Sequence, residues 1–319
     1  MFASSSITFT KPKQGNTQML SDVKSKKNIL DQNGKVTTRR RRSTRKIKFN
    51  PRRIGKPSNM QDAYDFVLEI YDSYRKHEMD RQPPKHYMKN LNFKPKTRKV
   101  LIDFLIGIHK EMEMHTDTLY SAVTIFDLYL SKNKVKESDL ALILCTSLLI
   151  ASKNEEMQTP VNDDFVYLSG DAFSSDDMNR MEFQILQSLD FNVNVIHSSI
   201  FLKAFLRYAN TTVRLSMIAH FINEVLLLSQ RFIGSCPSKR AAAVLCIAMF
   251  IENGSNQWNH TMERNTGYCM AQLLPMISKI IKTFNRKKDS KYRAVFQKYS
   301  LPELFYVSKI SLPKIEQFQ

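Results

Sequence analysis

The chain has 319 residues, 42 % of them apolar, enough to build the core of one or two domains. It has only eight glycines, no two within five positions of each other, which excludes a G-x-G-x-x-G dinucleotide turn and a G-x-x-x-x-G-K phosphate loop and argues against a turn-rich β fold. The net charge of +18 sits mainly in residues 1–56, which hold sixteen Lys and Arg against Asp22 and Asp31; the other 263 residues hold 32 basic and 28 acidic groups, unlike a nucleic-acid binder that spreads its excess over the fold.

Residues 1–56 are polar, with scattered apolar residues of no period, and are expected to be a disordered basic tail. Its densest run comprises Arg39, Arg40, Arg41, Arg42, Arg45 and Lys46. An extended basic peptide of this kind reads as a nuclear import signal for an import receptor, so the expected location is nuclear. Sequence-blind phosphate binding and a plain solvated tail are the alternatives. Four cysteines without close spacing, three in or beside apolar runs, suggest a reduced intracellular chain with buried thiols. No leading apolar stretch resembles a signal peptide, and the longest apolar runs fall short of the roughly 20 residues a membrane span needs.

From about residue 60 the pattern is helical. Tyr64, Leu68 and Tyr71 share one face, and Pro83, Pro84 and Pro95 bracket a connector. Val100, Leu101, Phe104, Leu105 and Ile108 repeat at helical spacing, as do Leu119, Ala122, Val123, Phe126 and Leu130 after a possible N-cap at Thr116. Leu140–Ala151 is apolar all round, the mark of a helix surrounded by others. A helix over 176–189 starts at Ser174 or Ser175. Stretches around Ile200–Leu206 and Ile218–Leu226 follow, then Pro237-Ser238 opens a second all-apolar run, Ala241–Ile251, and Leu273, Ile277, Ile280 and Ile281 close the series. The two apolar helices start 101 residues apart, which predicts an all-α chain of two similar units, each wrapped around a central helix.

No H-E-x-x-H, C-x-x-C or G-x-S-x-G is present. His109 and His115 are read as surface histidines, not metal ligands, and the pairs Glu155-Glu156, Asp163-Asp164 and Asp176-Asp177 as solvated or capping carboxylates. With no nucleophile, metal site or phosphate cradle, the body reads as a binding module that needs no cofactor.

Four motifs carry a family resemblance. Ala151-Ser-Lys-Asn-Glu-Glu156 resembles the A-S-K-x-E-E signature of cyclins, and Arg98-Lys-Val-Leu-Ile-Asp-Phe-Leu105 their M-R-x-I-L-[IV]-D-W-L run. Thr118-Leu-Tyr-Ser-Ala-Val123 and Arg180-Met-Glu182 resemble the next helix and the R-M-E of the fifth, in order and at family spacing. In the second half Pro237-Ser-Lys, Trp258, Gly267-Tyr268 and Lys298-Tyr-Ser300 are similar to the second box of mitotic cyclins. Asp163-Asp-Phe-Val-Tyr167 and Phe305-Tyr-Val-Ser-Lys-Ile310 look closest to the B3 class of B-type cyclins.

The resemblance, over residues 60–313, implies two tandem five-helix cyclin boxes: 57–192 with the N-terminal helix and first box, and 193–319 with the second box and an extension. It implies a non-catalytic subunit that activates a serine/threonine cyclin-dependent kinase of mitotic type in mitotic or meiotic progression. Such a subunit binds and orders the kinase's mobile helix and helps select protein substrates. Lys153 and Glu182 match the family's polar kinase contacts, and Leu68, Tyr71 and Phe191 its apolar ones; Asn154 stands where cyclins usually have an aromatic residue. Val100, Leu101, Phe104 and Leu140 match the groove that docks R-x-L peptides, but Gly107 replaces its acidic residue, so R-x-L docking is expected to be weak. Of a phosphate-binding cluster found in some B-type cyclins, only Lys203 and His220 match. No specific nucleic-acid or membrane partner is expected. A transcription factor IIB-like reading would fit the same fold, but the tail lacks the cysteines of a zinc ribbon.

Overall fold

The computed structural model describes Phe49 and residues 51–53, 65–209, 211–288 and 294–318. The basic run at 39–46 and Tyr64 lie outside the described residues. Short α1 (Val67–His77) precedes a 3-10 turn at Tyr87–Asn90. The first five-helix unit is α2 (Pro95–Glu111), α3 (Thr116–Lys132), α4 (Leu140–Glu155), α5 (Asn162–Leu168) and α6 (Ser175–Ser188). The second is α7 (Ser198–Ala209), α8 (Val213–Leu227), α9 (Pro237–Asn253), α10 (His260–Thr266) and α11 (Met270–Lys288), followed by α12 (Ala294–Lys298). Among the described residues there is no strand.

The two all-apolar runs became the central helices. α4 is packed by α2, α3 and α6, and α9 by α7, α8 and α11. Leu144, Cys145, Leu148, Ala241, Ala242, Ala243 and Leu245 are fully enclosed. Burial pushes the Cys145 and Cys246 thiols up to about 12, whereas Cys236 and Cys269 are half-buried.

Local rules explain the ends. Pro95 and Pro237 open α2 and α9, where a missing N–H costs nothing. Ser174 caps α6: its Oγ accepts from the Asp177 N–H at 3.2 Å, and the Asp177 carboxylate accepts from the Ser174 N–H at 3.0 Å. The Ser174 hydroxyl also donates to the Asp177 carboxylate at 2.7 Å, and this bond first, with those from the Ser174 N–H and Arg180, holds Asp177 down at about 2. Thr116 is not the cap of α3: it is the first helical residue, and the side chain that holds this helix start is Glu156, from the end of α4. His109 is not at the surface either. It is 2 % exposed, and its Nε2 donates to the His115 carbonyl at 2.8 Å.

The two boxes share more than their junction. α3 packs on α7, and α12 packs on α2, where the Ala294 N–H donates to Asp103 at 3.1 Å. Arg98 is the deepest tie. Its Nε and one terminal nitrogen each donate to Asp127 at 2.7 Å, Tyr87 donates to the same carboxylate at 2.6 Å, and its other terminal nitrogen reaches the Leu227 carbonyl of the second box at 3.0 Å. Burial alone would lower the Arg98 pKa, but the Asp127 charge beside it outweighs that and raises it. At the far end Phe318, 2 % exposed, lies on Phe250 with ring centres 4.8 Å apart.

Candidate functional site

Lys153 lies in the last turn of α4, where a cation suits the helix dipole, and Glu182 lies midway along α6, which packs against α4. Lys153 Nζ donates to both Glu182 oxygens, at 2.6 and 2.8 Å. The lysine side chain is 48 % exposed and the glutamate 17 %. An exposed pair of this kind adds only about 0–1 kcal/mol to a fold. It does leave a third ammonium donor and spare carboxylate lone pairs facing outward.

The two glutamates that follow serve the fold. Glu155 accepts from Ser121 at 3.0 Å, and Glu156 accepts from the His115 N–H at 2.7 Å and from the Thr118 hydroxyl. The A-S-K-N-E-E run therefore divides its labour, with Lys153 outward and both glutamates pinned to α3.

Asn154 borders a groove of about 710 Å³ between α1 and the segment joining the two boxes. Ile70, Tyr71, Tyr74, Ile196 and Ile200 form its apolar lining. Burial, the largest influence on the Tyr71 hydroxyl, pushes it up to about 12. Of the α1 residues expected to face a partner, Leu68 and Tyr71 are both partly buried against the core, and Tyr71 also lines the groove. The exposed apolar residues of α1 and its start are Phe66, at 68 %, and Ile70, at 36 %. Their i, i+4 spacing was the signal for them, one helical face away from the stripe that carries Leu68. Phe191 is 64 % exposed: it and Asp190 sit at φ 56° and 55°, a left-handed turn that projects the ring outward after α6.

At the groove's inner end Lys203 donates to Asp117 at 2.6 Å, so its charge is already paired. His220 is half-buried, and its desolvation lowers its pKa. The partial match to a phosphate cluster thus offers no unpaired cation at Lys203.

On α2, Val100 is 49 % and Phe104 37 % exposed, with Leu101 half-buried beside them. Leu140 is 1 % exposed and lies beneath the surface instead of lining it. A Cβ on Gly107 would meet nothing within 4 Å, and Asp103 is turned toward the start of α12. Among the described residues no cluster of three or more His, Cys, Asp or Glu could hold a metal, and no helix is long and apolar enough to cross a membrane.

Residues 69–194 match the cyclin N-terminal domain and residues 196–313 the cyclin C-terminal domain. The chain belongs to the cyclin family. It is 32 % identical over 252 residues to cyclin-B2-2 of Arabidopsis thaliana, covering 79 % of this chain and 59 % of that protein. It is 30 % identical over 259 residues to the G2/mitotic-specific cyclin-B3 of Caenorhabditis elegans, covering 80 % of this chain and 67 % of that protein. This cyclin therefore spans about three-fifths of the Arabidopsis relative's length. The B-type resemblance read from the motifs agrees with these relatives. Among solved structures, a viral cyclin from herpesvirus saimiri superposes with a TM-score of 0.62 at 15 % identity, over 71 % of this chain and 99 % of that one, which shows the shared fold.

Proposed function

We propose that this cyclin is the non-catalytic activating subunit of a serine/threonine cyclin-dependent kinase in mitotic or meiotic progression. Residues 57–192 would form the N-terminal helix and first box, and residues 193–319 the second box with its extension. The observation that carries this reading is the outward Lys153–Glu182 pair beside an apolar groove, on a chain of this family. Phe66, Ile70 and Phe191 supply exposed apolar anchors, and the ion pair supplies donors and acceptors for a partner's backbone at the end of its mobile helix.

The test is a pull-down from cell extract, followed by a kinase assay on the bound material. Lys153→Ala and Glu182→Ala should each weaken kinase binding by on the order of 1–3 kcal/mol, because each leaves a partner group unpaired. The melting midpoint should stay at the parent value. Wild-type affinity in both variants would overturn the assignment.

The reading extends to two further points. Substrate docking would run through Val100, Leu101 and Phe104 and depend on a peptide's Leu more than on its Arg, since Gly107 offers no carboxylate. Nuclear location would depend on the basic run, so replacing Arg39–Arg42 with Ala should move a fluorescent fusion out of the nucleus.

A further inference from the structure

Arg75 and Glu78 lie in the last turn of α1 and just beyond it, and both reach into the second box. Glu78 is 5 % exposed and accepts from the Ser238 N–H at 2.8 Å and the Ser238 hydroxyl at 2.7 Å, so a carboxylate from another element caps the start of α9. Arg75 donates to the Ser238 Oγ at 2.9 Å and to the Thr266 carbonyl, at the end of α10, at 3.2 Å. Its guanidinium lies between two rings, 4.6 Å from the centre of Tyr268 and 5.0 Å from that of Phe49. Tyr268 is itself fixed, since the Trp258 indole donates to its carbonyl at 3.0 Å and its hydroxyl lies 2.7 Å from the Ser238 Oγ.

Phe49 precedes α1 by eighteen residues, is half-buried, and lies against the Arg75 guanidinium and Gly267. A Cβ on Gly267 would approach Phe49 and Arg75 to 3.2–3.3 Å, so the bare glycine makes room for both. Three residues on, the Arg52 N–H donates to Asn265 at 3.3 Å, and the Arg52 guanidinium donates to the Tyr208 carbonyl at 3.1 Å.

We propose that Phe49 and Arg52 form an intramolecular latch on the second box and that, with it, Arg75 and Glu78 are positioning residues that hold α1 so that Phe66 and Ile70 face the kinase. The kinase half of this inference rests on the function proposed above; the latch does not. A stacked, partly desolvated guanidinium is a stronger tie than an exposed ion pair, and its flat fork cannot be replaced by an ammonium. The second box thereby acts on partner binding at a distance, by fixing a helix of the first-box side.

The experiment compares full-length wild type with Phe49→Ala, Arg75→Ala, Arg75→Lys and Glu78→Gln, using amide hydrogen exchange on the free protein and affinity for the kinase recovered in the pull-down. Phe49→Ala removes a half-buried ring outside either box and leaves both central helices intact. Arg75→Ala and Phe49→Ala should speed exchange across α1 by about tenfold or more, leave α4 unchanged, and weaken kinase binding by about tenfold. Arg75→Lys should recover only part of either effect. Lys153→Ala is the control: it should weaken kinase binding without changing exchange in α1. Unchanged α1 exchange in Phe49→Ala and Arg75→Ala would overturn the latch, and faster exchange with wild-type affinity would overturn the positioning role. If wild type captures no kinase, the proposed function fails, and the exchange data still decide the latch.

Discussion

Arg98 and Asp127 are a buried charge pair whose side chains are 3 % and 5 % exposed. Removing one member strands the other in a low-dielectric interior, which costs about 3–5 kcal/mol, whereas replacing both with apolar residues of similar volume is nearly neutral. Asp127→Ala should therefore lower the denaturant midpoint sharply, and Asp127→Leu combined with Arg98→Met should recover much of the loss. His197 makes a different prediction. It is 2 % exposed, stacks on Tyr120 with ring centres 5.5 Å apart, and has no hydrogen-bonding protein partner at either nitrogen. Burial, the largest influence, lowers its pKa from 6.5 to about 4, with the Asp117 charge opposing and the Lys203 and Arg240 charges assisting. The unfolded chain thus binds a proton near pH 6.5 that the folded protein refuses until about pH 4. This contribution is complete above pH 6.5 and is lost as the pH falls through that window, about 3 kcal/mol in all. Burial lowers His109 and His220 as well, so they act in the same sense. His197→Phe should keep the stack and flatten stability against pH between 6.5 and 4, which urea titrations across that range would show.

Helix α6 carries Glu182, and its start was legible to within one residue, at Ser174 or Ser175; the structure shows that Ser174 is the cap. Ser174→Ala removes an acceptor for the Asp177 N–H and should cost about 0.5–2 kcal/mol, read as a lower melting midpoint and faster exchange in the first turn. Helices with a long apolar stripe or an all-apolar body were legible within a few residues, because burial of one face or of every face fixes their pattern. The seven-residue α5 and α10 were not, since two turns hold too few apolar positions to show a period. The cap of α3 was illegible for another reason: it comes from Glu156, 41 residues after His115, and a local rule looks only at neighbours. On α1 the stripe that carries Leu68 and Tyr71 was found, but the exposed Phe66 and Ile70 were not, because two apolar faces, one toward the core and one outward, share a short helix and its start.

The molecule's two boxes are joined by contacts that no local pattern announces. Glu78 meets Ser238 across 160 positions, and Ala294 meets Asp103 across 191. The two-unit plan was legible in the repeat of two all-apolar runs, and Lys153 and Glu182 in the family motifs, while the clamp through Arg75 and Glu78 needed the folded geometry. These ties predict that the boxes unfold together. Phe318 is the sharpest test, because it lies on Phe250 of the second box's central helix. Phe318→Ala should cost about 3–5 kcal/mol, as for other fully buried aromatic side chains. Near-ultraviolet and far-ultraviolet dichroism should still report a single, coincident transition at the lower midpoint.

The docking of α12 on α2 also sets a clock for synthesis. Ala294 leaves the ribosome 191 residues after its partner Asp103. At roughly 5–20 residues per second, that is a delay of about 10–40 s. Throughout that interval the face of α2 that α12 will cover stands open to water, and in its later part, once α6 has ended at Ser188, it does so beside an otherwise complete first box. The nascent chain therefore presents apolar surface that the finished protein hides, and its yield in a cell depends on what shields that surface in the meantime.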